Sequence, residues 1–531
     1  MGRIRRLVAT LSAALLLVMV PVAAYAATGI QTLGSRLTLA QKCAAFSPQP
    51  LPNGATLVST SLRAATSYTP TVCIARGAIV SSPGSVINWA VELPDPSKWN
   101  RKTLTIGGGG FDGFIPTDSP WYQKMAGPYS YKFVKISSDS GHQGRDFYPW
   151  ATDDVALRNH AYDANHLVLG VGTAIATQFY GKQPLYRYMM GQSNGGRAGL
   201  AAAQRFPKDY DGVLALEPAI SQQNHEANLT QVNRHIYGNP KNWLNASKTA
   251  LFAQAEIKHC DGLDGLKDGV ISNTAACHYI PTDLLCKGTD NDECLTAGQI
   301  ESIRLLYSDH MVPVKFADGS VGYPRFAPGG AATTDWHSYV FGSSFTARES
   351  FDYFVGDQTA KVVTNDANTD YMTYNVAAHR SQWTRLSRQL ATTDPDLSSF
   401  ADNGGKLMIW LGMADTCVTP YQTAAYFNSV KKTMGTKQVA SFARLLSSPA
   451  VGHSMDGPGA QPTGSALLRA LVTWTEHGQA QDRLVAAKTA SGSTTPLFTR
   501  PVCEYPKYPR YNGSGDTTDA DNFTCVASRR S

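Results

Sequence analysis

The chain has 531 residues, 43% of them hydrophobic and 17% charged, with a formal net charge of +6. That balance is ordinary for a globular protein, and because Arg3, Arg5 and Arg6 open the chain the remainder is close to neutral, which gives no sign of a nucleic-acid partner. The length exceeds one simple core and predicts either one large domain carrying a sizeable insertion or two domains.

After the three arginines come an apolar run at 15–20 and the small-residue triplet Ala24-Tyr25-Ala26. Together they read as a secretory signal peptide, residues 1–26, cut after Ala26. A membrane anchor needs roughly 20 uninterrupted apolar residues, whereas Pro21 interrupts this run and no later segment is apolar enough to span. The mature protein is therefore expected to be secreted, extracellular or periplasmic, without a membrane partner.

Short β-rich runs at 86–91, 103–106, 133–136, 186–190 and 212–216 alternate with helical periodicity at 154–178 and 197–205. This alternation predicts a mostly parallel sheet flanked by helices, with 27–218 as the first part of the core. From 219 to 398 cysteines, Gly-Asp turns and the aromatics Trp336, Tyr339, Phe341, Phe351, Tyr353 and Phe354 replace it, as expected of an inserted lid. The rhythm returns with a strand at 406–411, a helix at 421–427 and a strand at 440–446, so that 399–490 completes the core. Residues 491–531 read as a tail held by its own disulfide.

Eight of the nine cysteines fall in sequence-local pairs, Cys43 with Cys73, Cys260 with Cys277, Cys286 with Cys294 and Cys503 with Cys525, in keeping with export. Other connectivities stay open from spacing alone. Cys417 is left over, and no Cys-x-x-Cys spacing suggests zinc. Asn228, Asn245, Asn512 and Asn522 head glycosylation sequons.

Gly191-Gln192-Ser193-Asn194-Gly195 lies between a predicted strand and a predicted helix. This is the setting of a nucleophile elbow, whose glycines admit a turn too sharp for side chains. A serine hydroxyl needs a base to take its proton, and that histidine needs a carboxylate to fix its tautomer, in the chain order Ser, acid, His for this kind of fold. Asp415 follows the strand at 406–411, and His453 sits in a glycine-flanked loop after the strand at 440–446. Asp456 and Asp402 compete for the acid. The negative charge of a tetrahedral intermediate calls for two backbone N–H donors. One is assigned to Asn194, the other to the 107–110 glycine run, with Gly110 preferred over Gly109.

Within the insertion, Asp261, Asp264 and Asp268 crowd a glycine-rich loop. Hard oxygen ligands of this kind suit calcium, though the spacing is not that of an EF-hand and an acidic turn without metal stays open.

These residues together resemble the tannase and feruloyl esterase family, which also contains mono(2-hydroxyethyl) terephthalate hydrolase. The likeness is densest at Asp139-Ser-Gly-His142, 179–184, 191–197, 203–207, 210–212, Cys260-Asp261 to Gly269, 412–415 and 452–459. The resemblance implies an α/β-hydrolase fold with a lid between nucleophile and acid, and catalytic roles for Ser193, Asp415 and His453. It also implies a structural Ca2+ in the lid, held by the carboxylates of Asp261, Asp264 and Asp268 and the carbonyls of Leu266 and Val270. The substrate class implied is an ester of an aromatic (phenolic) acid, small or linked to a plant polymer. Terephthalate monoesters or other small esters are the alternative, and a calcium-stabilised, non-catalytic binding protein is an alternative of another class. The family joins its catalytic loops by a disulfide whose positions here are Gln192 and Ser454, and these two are expected to face each other and to hydrogen-bond.

Overall fold

The apolar runs of the sequence become the centre of one eleven-stranded sheet. A computed structural model describes residues 37–481 and 483–528, so the predicted leader lies outside them. In chain order the strands are β1 Thr56–Arg63, β2 Val72–Ser82, β3 Ser85–Leu93, β4 Lys102–Gly107, β5 Val134–Ser138, β6 Tyr186–Gln192 and β7 Gly212–Leu216. The inserted segment carries the two-residue strands β8 His310–Met311 and β9 Gly322–Tyr323, which pair only with each other. The large sheet resumes with β10 Lys406–Gly412, β11 Ala443–Ser448, β12 Leu484–Thr489 and β13 Pro496–Glu504.

Its spatial order is β1-β2-β3-β5-β4-β6-β7-β10-β11-β13-β12. The six strands from β5 to β11 run parallel, while both flanks are antiparallel. Parallel strands covered on both faces need side chains that tolerate burial everywhere, and β7 and all of β10 after Lys406 are buried accordingly. One face packs Val134, Ile136, Met189, Val213, Leu407 and Ile409 in one cluster with the helices Ala164–Tyr180, Asn194–Arg205 and Pro420–Met434, and the other packs Leu104, Tyr188, Leu214 and Trp410 with the helix Gly464–His477.

The insertion carries its own core around Phe252 and Trp336. A second cluster joins Val355 and Trp383 of the insertion to Phe111 and Phe147 of loops that leave the sheet, and Leu39–Ser531 form one compact unit.

Several expectations need adjustment. The predicted strand at 440–446 begins only at Ala443, because Thr436–Phe442 is helical. The predicted helix at 154–178 is helical throughout, but Asp154–Arg158 and Ala164–Tyr180 are joined by a π-helical turn over Asn159–Asp163. β1 and β2 were not anticipated; β1 is largely polar and exposed and gives no apolar run to read, whereas β2 carried short ones at 72–75 and 78–80 that were passed over. The boundary at 490 falls inside the β12–β13 hairpin, so the tail supplies a strand of the sheet itself.

The four cysteine pairs are disulfides as expected, Cys43–Cys73, Cys260–Cys277, Cys286–Cys294 and Cys503–Cys525. Cys417 is buried and free. Asn228 is buried within the helix Gln222–Gly238, where no glycan fits, whereas Asn512 is exposed.

Candidate active site

The C-terminal ends of the parallel strands open at one edge of the sheet, the usual place for a site in such folds. Ser193 stands between β6 and the helix Asn194–Arg205 with φ 59° and ψ −123°, a conformation costly for any residue with a side chain. The glycines on either side permit it. A Cβ on Gly191 would lie 2.4 Å from the Gly195 carbonyl carbon, and one on Gly195 would lie 2.5 Å from the Gly107 carbonyl oxygen. The elbow thus presses against the end of β4, and the glycine run that follows β4 arrives beside Ser193.

His453 lies in the loop after β11 and Asp415 in the turn after β10. The His453 Nδ1 is 2.7 Å from Asp415 Oδ2, and both residues are buried. The other carboxylate oxygen of Asp415 accepts the backbone N–H groups of Cys417 (2.9 Å) and Val418 (2.7 Å), which fixes the acid before it meets the imidazole. Burial disfavours the imidazolium, but the charge and hydrogen bond of Asp415, with Asp335 behind them, outweigh it and raise the His453 pKa above its usual value. The competitors fall away: Asp402 ends the helix Ser398–Asp402 at the opposite end of β10, and the Asp456 carboxylate accepts the N–H of Thr334.

Two further acids surround the histidine that sequence reasoning missed. Glu217, directly after β7, is buried with Oε2 3.8 Å from His453 Nδ1, and burial followed by the Asp415 charge pushes its pKa well up. The signal was available, since Glu217, like Asp415, is an acid just past the C-terminal end of an apolar strand, directly after β7 where Asp415 lies in the turn after β10. Asp335 comes from the insertion, and its carboxylate accepts the backbone N–H groups of His453 (2.7 Å), Thr416 and Ser454 (both 3.2 Å). No local pattern marks it.

Gln192 does not bond Ser454 as expected. Its Nε2 donates to the backbone carbonyl of His453 (2.5 Å) and to Glu217 Oε2 (2.7 Å), while the Ser454 hydroxyl is 3.4 Å from that of Tyr339. The glutamine side chain is long enough to pass the neighbouring serine and grip the histidine's own peptide, so the two loops are joined by a polar link.

The loops that carry the candidate oxyanion donors meet as well. Asn194 begins the helix after Ser193, and its side-chain amide donates to the Gly108 carbonyl (3.2 Å) and to Asp112, pinning the glycine loop. The Gly109 N–H is spent on the Tyr122 hydroxyl (2.6 Å), which leaves Gly110 as the donor of choice. Ser193, His453, Gly109 and Gly110 all line one cavity of about 430 Å³.

The aromatics of the insertion divide. Trp336 and Phe341 belong to its core and Tyr353 packs against that core, Tyr339 packs against it and also lines the cavity, and Phe351 and Phe354 line the cavity together with Phe111, Phe114 and Trp121. Arg145 also lines it, its guanidinium 5.7 Å from the Phe354 ring centroid.

In the acidic loop, burial and the charges of Asp268 and Asp261 raise Asp264 to about 6, a crowding that a cation would relieve. Asp261 accepts the N–H groups of Asp268, Gly269 and Val270, and Asp268 is paired with Arg500 of β13, a partner that the sequence did not reveal. The three carboxylates are not gathered within 4.8 Å of one another. The donor set is that of a hard cation, with Arg500 supplying part of the neutralisation.

An elbow after one central parallel strand, an acid after a second and a histidine after a third define an α/β-hydrolase fold with a lid inserted between nucleophile and acid. Comparison with known proteins agrees. The family model for tannase and feruloyl esterase matches residues 73–526, and the chain belongs to that family of carboxylic ester hydrolases. An uncharacterized esterase of Agrobacterium fabrum is 31% identical over 467 residues, covering 83% of this chain and 82% of its own length. A probable feruloyl esterase B-2 of Aspergillus terreus is 28% identical over 490 residues and 86% of each chain. The crystal structure of feruloyl esterase B from Aspergillus oryzae superposes with a TM-score of 0.79 at 27% identity, over 92% of this chain and 100% of that one.

Proposed function

We propose that the protein hydrolyses esters of aromatic acids, such as ferulates or gallates, through an acyl-enzyme on Ser193. The observation that carries this reading is the buried 2.7 Å pair of His453 and Asp415 opening into the same cavity as the serine of the elbow. His453 takes the Ser193 proton as Oγ attacks the ester carbonyl, and the N–H groups of Gly110 and Asn194 hold the resulting oxyanion. The tetrahedral intermediate collapses as His453 returns the proton to the leaving alcohol, and water, deprotonated by the same imidazole, then releases the acid. Family membership and the cavity's aromatic walls support an aromatic acyl group.

One observation favours the alternative substrate class. Arg145 is a cation on the cavity wall, and a terephthalate monoester carries the carboxylate that it would attract. Comparing rates on methyl ferulate, propyl gallate and mono(2-hydroxyethyl) terephthalate ranks the two classes.

The same reading places the protein outside the cytoplasm, supported by the leader-like N-terminus and four disulfides. Among the described residues no helix is long and apolar enough to cross a membrane. It also includes a structural calcium held by Asp261, Asp264 and Asp268 with the carbonyls of Leu266 and Val270, an ion that would neutralise the crowding on Asp264 without entering the chemistry.

The test is Ser193→Ala, assayed for ester hydrolysis and for labelling by a serine-reactive phosphonate. Loss of both in a folded protein is expected, because the change removes the attacking oxygen and little buried surface. Turnover within about tenfold of wild type would contradict the assignment, since removing a triad member costs many thousandfold. A wild-type protein with neither turnover nor phosphonate adduct would instead indicate a binding protein on a hydrolase scaffold.

A further inference from the structure

We propose that Asp335 of the inserted segment is a positioning residue for His453, holding the base loop and the acid loop in register from the lid side. This inference rests on the assignment of His453 as general base. Asp335 is fully buried, and each hydrogen bond to its carboxylate from these loops comes from a backbone N–H. Oδ2 accepts from His453 and from Thr416, which is adjacent to Asp415, while Oδ1 accepts from Ser454. One rigid carboxylate therefore fixes the peptide of the base and the peptide next to the acid at the same time. The loop has been shaped to admit it, since a Cβ on Gly452 would lie 2.7 Å from Asp335 Oδ2, too close for any side chain to coexist with the carboxylate. Gln192 performs the matching task from the nucleophile side, so the His453 peptide is gripped through its N–H by the lid and through its C=O by the elbow.

The charge of Asp335 has a separate effect. The groups facing His453 are Asp415 from the β10 loop, Glu217 from the end of β7 and Asp335 and Tyr339 from the lid. Cys417, Asp352 and His225 lie further out. Burial and the Asp415 charge push Asp335 up to about 6, so above that pH it is anionic and stabilises the imidazolium. Removing the charge lowers the His453 pKa.

Two variants separate position from charge. Asp335→Asn removes the charge and one acceptor, so kcat should fall roughly tenfold to a hundredfold, the scale of an ångström-sized misplacement. KM should stay near wild type and the acid limb of kcat/KM should move to lower pH. Gly452→Ala displaces the carboxylate but keeps its charge, so kcat should fall in the same direction with a smaller movement of the limb. A folded Asp335→Asn with kcat within about twofold of wild type and an unmoved limb, whatever its melting temperature, overturns the proposal. If that variant does not fold, an unchanged kcat in Gly452→Ala overturns it. Turnover in Ser193→Ala would refute the active-site reading itself, an outcome distinct from either.

Discussion

Replacing Asp415 by Asn tests whether this active site holds a reserve acid. In serine hydrolases, loss of the orienting carboxylate costs roughly 10⁴-fold in kcat because the imidazole adopts the wrong tautomer. At about 1.36 kcal/mol per tenfold, that is close to 5.4 kcal/mol of transition-state stabilisation. Here Glu217 Oε2 lies 3.8 Å from the same Nδ1 that Asp415 meets at 2.7 Å, so a small rotation of the ring exchanges one partner for the other. In the wild type burial and the Asp415 charge raise the Glu217 pKa well above its usual value. Asp415→Asn removes the second cause, the Glu217 pKa falls, and the newly ionised carboxylate accepts the Nδ1 proton. The single variant should therefore lose only about 10³-fold, with activity that keeps climbing with pH as Glu217 ionises, while Asp415→Asn with Glu217→Gln should reach the full loss of about 10⁴-fold. The assay is kcat against pH for the wild type, both single variants and the double variant, on a chromogenic aryl ester. Identical rates and profiles for Asp415→Asn and the double variant would show that Glu217 is only structural.

The His453 pKa is raised in the folded protein, and the base must be neutral to act. The acid limb of kcat/KM should therefore lie above pH 6.5 and activity should fall as pH drops through it; a limb below 6 contradicts the electrostatic account. Chelation should lower the melting temperature more than it lowers kcat, as should Asp264→Ala, and purified protein should contain calcium by metal analysis; neither effect, with no metal after saturation and dialysis, removes the ion from the picture. Because Gln192 already reaches the peptide of His453, Gln192→Cys with Ser454→Cys should form a disulfide on export and raise the melting temperature above that of either single variant. Two free thiols in the oxidised double variant would mean that the side chains diverge.

The candidate triad was legible because each member is announced locally. Ser193 has its glycines, Asp415 closes an apolar strand, and His453 sits in a glycine-flanked loop in the required chain order. Glu217 carried the same sign as Asp415 and was passed over because one acid satisfies the chain-order rule. Asp335 was not legible, since its partners are three backbone N–H groups more than eighty residues away in sequence. Gln192 stood out as a departure from the family, but its reach depends on side-chain length at a crossing of loops, and position alone assigned it the wrong partner. The lid aromatics could not be sorted either, because Trp336 and Tyr339 lie one turn apart and only packing decides which faces Phe252 and which faces the cavity.

The placement of β13 bears on how the molecule is made. Synthesis runs from the N-terminus, yet the partner that covers β11 on its outer side lies beyond residue 495, after the entire catalytic set has left the ribosome. Until those residues emerge, β11 is an open strand edge beside the loop that bears His453, the sort of edge that recruits other chains. A nascent or C-terminally clipped product thus carries all three candidate catalytic residues on an unfinished sheet, and shortening the chain before Pro496 should give aggregates rather than a smaller enzyme.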